Sequence, residues 1–316
     1  MTASRRSKSS ARTALLNGSI IAIAAVALSG CYPYRLSGID LVPTDQRLAA
    51  SGYRLESGPP LADVGRRLGL SVIEEDLQAP FGRVALTRFE HPEPRPLIVF
   101  CGGNMFRREI RGPKIVELLS PYGDVWIFDY PGYGDTAGAG RPDEFDALGA
   151  VIATRVDRAF TEGRPGGLTF WGHSLGGAVC GDLAGRSATP SDIVLVATFQ
   201  SFDQVVRAGA TARAGPLGVL VRPVLDEDLP TFDIARSLHG YGGTAVVVAA
   251  RDDATVPYLA SGRLEQALRR QGVATRLIAI PTGDHARIHE TPGLIAQVRE
   301  ALASAGKARK AHPSGF

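Results

Sequence analysis

Residues 172–177 read Gly172-His173-Ser174-Leu175-Gly176-Gly177. They follow the apolar run Leu168–Trp171 and open a stretch whose apolar positions, Leu175, Ala178, Val179 and Leu183, recur at helical spacing. A buried strand that turns sharply into a helix around a central serine is the setting of a nucleophile elbow. Glycines two residues on either side let such a turn close without Cβ clashes. The helix then starts with unpaired N–H groups, which favour negative charge developing beside the serine. The bland alternative is a glycine-rich structural turn, and the strand-to-helix setting argues against it.

Outward from this stretch, short apolar runs alternate with amphipathic ones. Strands are expected at Leu70–Glu74, Arg83–Phe89, Leu97–Cys101, Val125–Tyr130, Leu168–Trp171, Ile193–Ala197, Ala245–Ala250 and Arg276–Ile280. Helices are expected at Ile110–Leu119, Asp143–Thr161, Leu175–Arg186, Leu259–Arg270 and Leu294–Ala305. This alternation predicts an α/β fold with a mostly parallel, eight-stranded sheet and helices on both faces. The first two strands have no helix between them and should pair antiparallel. Residues 199–240 are irregular by comparison and are expected to form a modest cap over the carboxyl edge of the sheet.

A serine at its free pKa is a poor nucleophile and needs a base and an orienting acid. Arg251-Asp252-Asp253-Ala254-Thr255-Val256-Pro257 ends the strand Ala245–Ala250, and Gly283-Asp284-His285 follows the strand Arg276–Ile280. Both are loops at carboxyl ends of strands, as is the elbow. Asp252 or Asp253, and His285 or His289, are thus the candidate partners of Ser174.

From about Pro96 to Ala305 the chain resembles the α/β-hydrolase superfamily, near its serine-aminopeptidase-like and acylglycerol-lipase-like branches. The family's elbow matches Gly172–Gly176, its Asp-x-x-Val-Pro motif matches Asp253–Pro257, and its Gly-x-His matches Gly283–His285. The resemblance implies Ser174 as nucleophile, Asp253 as acid and His285 as base. Asp129-Tyr130-Pro131-Gly132-Tyr133-Gly134-Asp135-Thr136 resembles the family's strand-end loop, with Thr136 where Ser is commoner. The family often carries His-Gly-x after its third strand; this chain has Cys101-Gly102-Gly103-Asn104-Met105, with Gly102 in the histidine's place. Aligning Gly103 with the family's glycine gives the Asn104 and Leu175 backbone N–H groups as the oxyanion donors.

What this implies is a serine hydrolase that cleaves a carboxylic ester, or a thioester or amide, through an acyl-Ser174 intermediate. A non-catalytic, surface-anchored binding lipoprotein and an acyltransferase using the same three residues are the competing readings. No cofactor and no metal are expected, because no metal-ligand spacing, dinucleotide fingerprint or P-loop occurs. The expected partner is a small or lipid-like acyl substrate. His173 is expected to pack beside the elbow. His91, His239 and His312 read as structural or surface residues. Cys101 and Cys180 sit in apolar runs and are expected to be small core residues outside any disulfide framework.

The N-terminus reads differently. Arg5, Arg6, Lys8 and Arg12 precede the apolar run Ile20–Leu28, and Leu28-Ser29-Gly30-Cys31 follows. A basic start, a short apolar run and small residues define a secretory signal. The quartet resembles the lipobox of bacterial lipoproteins, which implies cleavage before Cys31 and acylation of that cysteine. An uncleaved membrane helix is the alternative. The resemblance implies a lipid-anchored protein of the cell envelope, in the outer membrane if the host has one, since Tyr32 is not an acid. Residues 1–30 hold four of the 35 Lys and Arg and no acid, so the rest carries 31 basic against 32 acidic residues. No basic field suited to nucleic acid is left. The expected organisation is a signal peptide (1–30), a tether and lead-in (31–69), the hydrolase-like domain (70–306) and a flexible tail (307–316).

Overall fold

The computed structural model describes residues 32–311. In chain order its strands are β1 (Tyr32–Leu36), β2 (Ser71–Ala79), β3 (Gly82–Glu90), β4 (Leu97–Cys101), β5 (Asp124–Phe128), β6 (Leu168–His173), β7 (Ser191–Val196), β8 (Val221–Leu225), β9 (Thr244–Ala250) and β10 (Ala274–Ile280). The longer helices are α1 (Arg108–Leu119), α2 (Pro142–Thr161), α3 (Leu175–Arg186), α4 (Phe202–Ala214), α5 (Tyr258–Arg270) and α6 (Leu294–Ala311).

Eight strands form one sheet in the order β10-β9-β7-β6-β4-β5-β3-β2. Neighbours pair parallel except β2 with β3 and β3 with β5. The continuous apolar strands are buried on both faces, as parallel strands under helices must be. Alternate residues of one strand serve different cores. Val99 and Cys101 pack with Leu148 of α2, Leu183 of α3 and Leu264 of α5. Ile98 and Phe100 pack with Val116 of α1 and Val298 of α6. Each large apolar side chain fully buried in these layers contributes about 1.5–3 kcal/mol. β2 runs five residues beyond its expected end, through Asp76 to Ala79. It is an edge strand whose charged, alternating residues face water and blunt further pairing.

Three regions differ from expectation. The stretch read as a tether carries short helices at Gly38–Leu41, Asp45–Ala50 and Leu61–Leu68, and Val42 and Val64 are fully buried. Residues 199–240 contain α4 and β8, and β8 pairs parallel with β1 to form a second, two-stranded sheet. Pro33 and Pro223 are tolerated there because a two-stranded sheet is all edge. α6 continues to Ala311, five residues into the stretch expected to be a tail. The signal segment, Cys31 and His312 lie outside the described residues. Among the described residues no helix is long and apolar enough to cross a membrane.

The cysteine expectation needs correcting. Cys101 and Cys180 are both fully buried, as core residues would be, but they are bonded to each other, with an S–S distance of 2.04 Å and Cα atoms 5.8 Å apart. They lie 79 residues apart in sequence and show no framework spacing; the parallel sheet brings the end of β4 against α3.

Candidate active site

Ser174 ends the turn from β6 into α3 with φ 54° and ψ −120°. Among the described non-glycine residues only Ser174 and Ala197 have positive φ, and Ala197 follows the neighbouring strand β7. Such strained backbone persists only where its surroundings fix it. Here the Ser174 N–H donates to the Val196 carbonyl at 2.9 Å, and its carbonyl accepts from Thr198 Oγ1 at 2.7 Å. The flanking glycines are sterically required. A Cβ on Gly172 would lie 2.4 Å from the Gly176 carbonyl oxygen, and one on Gly176 would lie 1.9 Å from that of Cys101.

The fold brings the three residues singled out in sequence together. His285 Nε2 is 3.1 Å from Ser174 Oγ, and His285 Nδ1 is 2.7 Å from Asp253 Oδ2. The other carboxylate oxygen of Asp253 accepts from the Thr255 and Val256 N–H groups at 2.8 and 2.9 Å. Asp253 is buried and acceptor-only when ionised, so it holds a hydrogen on His285 Nδ1. That leaves Nε2 to accept from the serine hydroxyl. Asp252 is exposed and points elsewhere: its Oδ1 accepts from the Gly283 N–H at 2.8 Å, tying the acid loop to the histidine loop.

Two further histidines crowd the site. His173 Nε2 donates to the His285 backbone carbonyl at 2.9 Å, linking the elbow to the base loop. Burial, with His289 and His285 beside it, holds its imidazole well below the usual histidine range. His289 Nε2 accepts from Trp171 Nε1 at 3.0 Å, and burial pushes its pKa down to about 4. Both rings are therefore neutral at neutral pH, and both Nε2 atoms are occupied away from Ser174. The His173 bond and the Thr198 brace left no sequence signal, because each depends on strands distant in the chain. His91 lies at the opposite edge, 2.8 Å from Asp124 at the start of β5, and His239 lies in the turn before β9.

The loop after β4 closes the site. The Gly103 Cα approaches so near that a Cβ on it would lie 3.5 Å from Ser174 Cβ and 3.2 Å from His173 Nδ1. The Asn104 side chain turns away to the Asp40 carbonyl at 3.3 Å. Leu175 opens α3, so its N–H is among those without an intrahelical acceptor.

A cavity of about 360 Å³ opens on Ser174 and His285, between α1 and the turn His285–Glu290. Its walls are largely apolar, from Phe100, Phe106, Ile110 and Ile115. A larger cavity of about 780 Å³ lies beyond the acid loop, under α4. It meets Asp253 but neither Ser174 nor His285, so the smaller cavity is the one placed to hold a reacting group. Among the described residues no His, Cys, Asp and Glu cluster suits a metal ion.

The family model described as alpha/beta hydrolase family matches residues 98–312. An uncharacterized protein of Mycobacterium tuberculosis (strain ATCC 25618 / H37Rv) is 30% identical over 194 residues, 60% of this chain and 63% of its own length. The match thus spans less than two thirds of that relative. Among solved structures, an esterase of Pyrococcus furiosus superposes with a TM-score of 0.60 at 12% identity, covering 79% of this chain and 96% of the esterase. Carboxyl esterase 2 of the mycorrhizal fungus Tuber melanosporum gives 0.55 at 15% identity, covering 76% and 88%. At these identities the likeness is one of fold.

Proposed function

The chain belongs to the alpha/beta hydrolase family, and from that premise we propose that it is a serine hydrolase cleaving carboxylic esters through an acyl-enzyme on Ser174. The observation that carries the reading is the position of His285, bonded through Nε2 to Ser174 Oγ and through Nδ1 to buried Asp253. In the first step Ser174 Oγ attacks the ester carbonyl carbon while its proton passes to His285 Nε2. Asp253 stabilises the imidazolium without taking the proton. The oxyanion is held by the Leu175 and Asn104 backbone N–H groups, each donor being worth about 2.7–4 kcal/mol. Collapse of the intermediate breaks the bond to the alkoxy oxygen, which leaves as an alcohol with the proton from His285. Water then attacks the acyl carbon and gives a proton to His285; collapse breaks the bond to Ser174 Oγ, which takes that proton back, and the acid is released.

A fluorophosphonate should label Ser174 in the folded protein and no other residue. Peptide mapping of the adduct tests this. A folded protein that stays unlabelled, or labels elsewhere, removes Ser174 as nucleophile.

The same reading extends to location. The chain is proposed to be exported, with residues 1–30 removed as a signal peptide, and anchored by acyl chains on Cys31. Support comes from the signal-like order of residues 1–31 and from the Cys101–Cys180 disulfide, a bond that persists in oxidising compartments. More than one chain is needed for stable anchoring, because a single one binds only marginally. Intact mass of the membrane fraction should give a chain beginning at Cys31 with added acyl mass. A membrane-bound chain that keeps Met1–Gly30 without acyl mass would establish a helix anchor instead.

A further inference from the structure

We propose that the Ser174 pocket selects esters that carry a negative charge, and that Arg111 binds that charge. The inference rests on the hydrolase reading of Ser174 and adds the substrate class. Three cations, Arg111, Lys114 and Arg287, line the cavity against one carboxylate, Glu290. Arg287 is held by Glu290, with Arg287 Nη2 at 3.0 Å from Oε2 and Nε at 3.3 Å from Oε1. Lys114 has Glu117 at 3.9 Å, and its charge also reaches Glu290. Arg111 has no acidic partner within ion-pair distance among the described residues. It is exposed, one turn before Lys114 on the same face of α1.

Its neighbours in sequence make this isolation informative. Arg107, Arg108 and Arg111 all stand at the amino end of α1, where the helix dipole disfavours cations. The first two are buried and compensated: Arg107 by Asp45 at 2.7 Å, and Arg108 by Glu74 at 2.7 Å, Asp129 at 3.2 Å and Asp135. Arg111 alone of the three lacks an acid and faces the reaction cavity. Its field reaches the elbow, since it adds to the forces keeping His173 neutral. A cavity walled by low-dielectric side chains focuses such a field on an entering ligand. The apolar wall from Phe106 and Ile115 suits the hydrocarbon part of the substrate. The chemistry that fits both is an apolar acyl or alkoxy chain with a carboxylate, phosphate or sulfate group on the same molecule.

Mono-p-nitrophenyl esters of linear dicarboxylic acids from four to ten carbons, each compared with its methyl-capped neutral counterpart, test the proposal. At one chain length or more the anionic ester should be preferred about tenfold in kcat/KM, mainly through KM, as bonds to a charged group allow. The preference should shrink as salt rises from about 0.05 to 0.5 M. Arg111→Gln should abolish it, and Arg111→Lys should restore part. Equal rates at every length, or a preference that survives Arg111→Gln, would overturn the assignment. Calorimetric binding of the same esters to Ser174→Ala separates this inference from the hydrolase reading. Tighter binding of the anionic ester without turnover by the wild type would keep the anion site and discard the hydrolase. Turnover of both esters with no binding difference would keep the hydrolase and discard the anion site. No detectable binding of either ester would also overturn the anion site.

Discussion

Ser174→Ala and His285→Ala should each lower kcat on a cleaved ester by roughly 10⁴–10⁶, because nucleophile and base act as one unit whose members are not separately useful. The double variant should lose little more than either single one. Ser174 Oγ has its proton acceptor 3.1 Å away, and the neighbouring His173 and His289 rings cannot substitute. His173 donates through Nε2 to a backbone carbonyl, and His289 accepts through Nε2 from Trp171. Asp253→Asn should cost roughly 10³–10⁴, since an amide in that place favours the wrong imidazole tautomer. Asp252→Asn should cost less than about tenfold: an amide oxygen can still accept from the Gly283 N–H, and such a bond is worth about 1 kcal/mol. The measurement is steady-state kinetics on p-nitrophenyl esters, with circular dichroism confirming that each variant is folded. If Asp252→Asn proves as damaging as Asp253→Asn, or if His285→Ala stays active, the assigned roles are wrong.

Much of the sheet was legible because parallel strands under helices on both faces must be apolar at nearly every position, and Leu97–Cys101 of β4, Ile193–Val196 of β7 and Ala245–Ala250 of β9 are continuous apolar runs. The carboxyl ends of β6, β9 and β10 carry the loops of Ser174, Asp253 and His285, so these residues could be ordered along the chain from the strand pattern. The choice of Asp253 over Asp252 came from a family motif; the physical reason is that Asp253 is buried with two backbone donors, whereas Asp252 faces water. Residues 31–69 were opaque for a different reason. Gly58-Pro59-Pro60 and Tyr32-Pro33-Tyr34 read as loop chemistry, and the partners that order this segment are distant: Arg107 for Asp45, and β8 for β1. The cap was illegible likewise, because β8 pairs with a strand almost two hundred residues earlier. A local pattern cannot report a long-range pairing that uses backbone groups alone. The same limit hid the Cys101–Cys180 bond, since apolar surroundings are common to free and bridged core cysteines.

That bond carries the other large expected effect. Replacing both cysteines by alanine should lower stability by about 2–5 kcal/mol, because the bridge closes a long loop in the unfolded chain and so removes much of its freedom. The measurement is the urea midpoint of the protein, with and without reductant. Wild-type protein denatured in reductant should match the double variant, and the variant itself should not respond to reductant. Both sulfur-bearing residues are fully buried, so reduction should require unfolding and proceed slowly in native buffer. The bridge also has a place in the site. Cys101 is the last residue of β4, directly before the Gly102–Asn104 loop, and Cys180 lies on α3, whose first residue is Leu175. It therefore ties the two backbone segments that flank the proposed oxyanion site, and the double variant should lose kcat as well as stability, measured well below its unfolding midpoint. Thiol titration of the denatured, unreduced protein gives the decisive count. Wild-type protein should expose no thiol from Cys101 or Cys180. Two free thiols from these positions, in protein isolated without reductant from an oxidising compartment, would overturn both the bridge and its support for export.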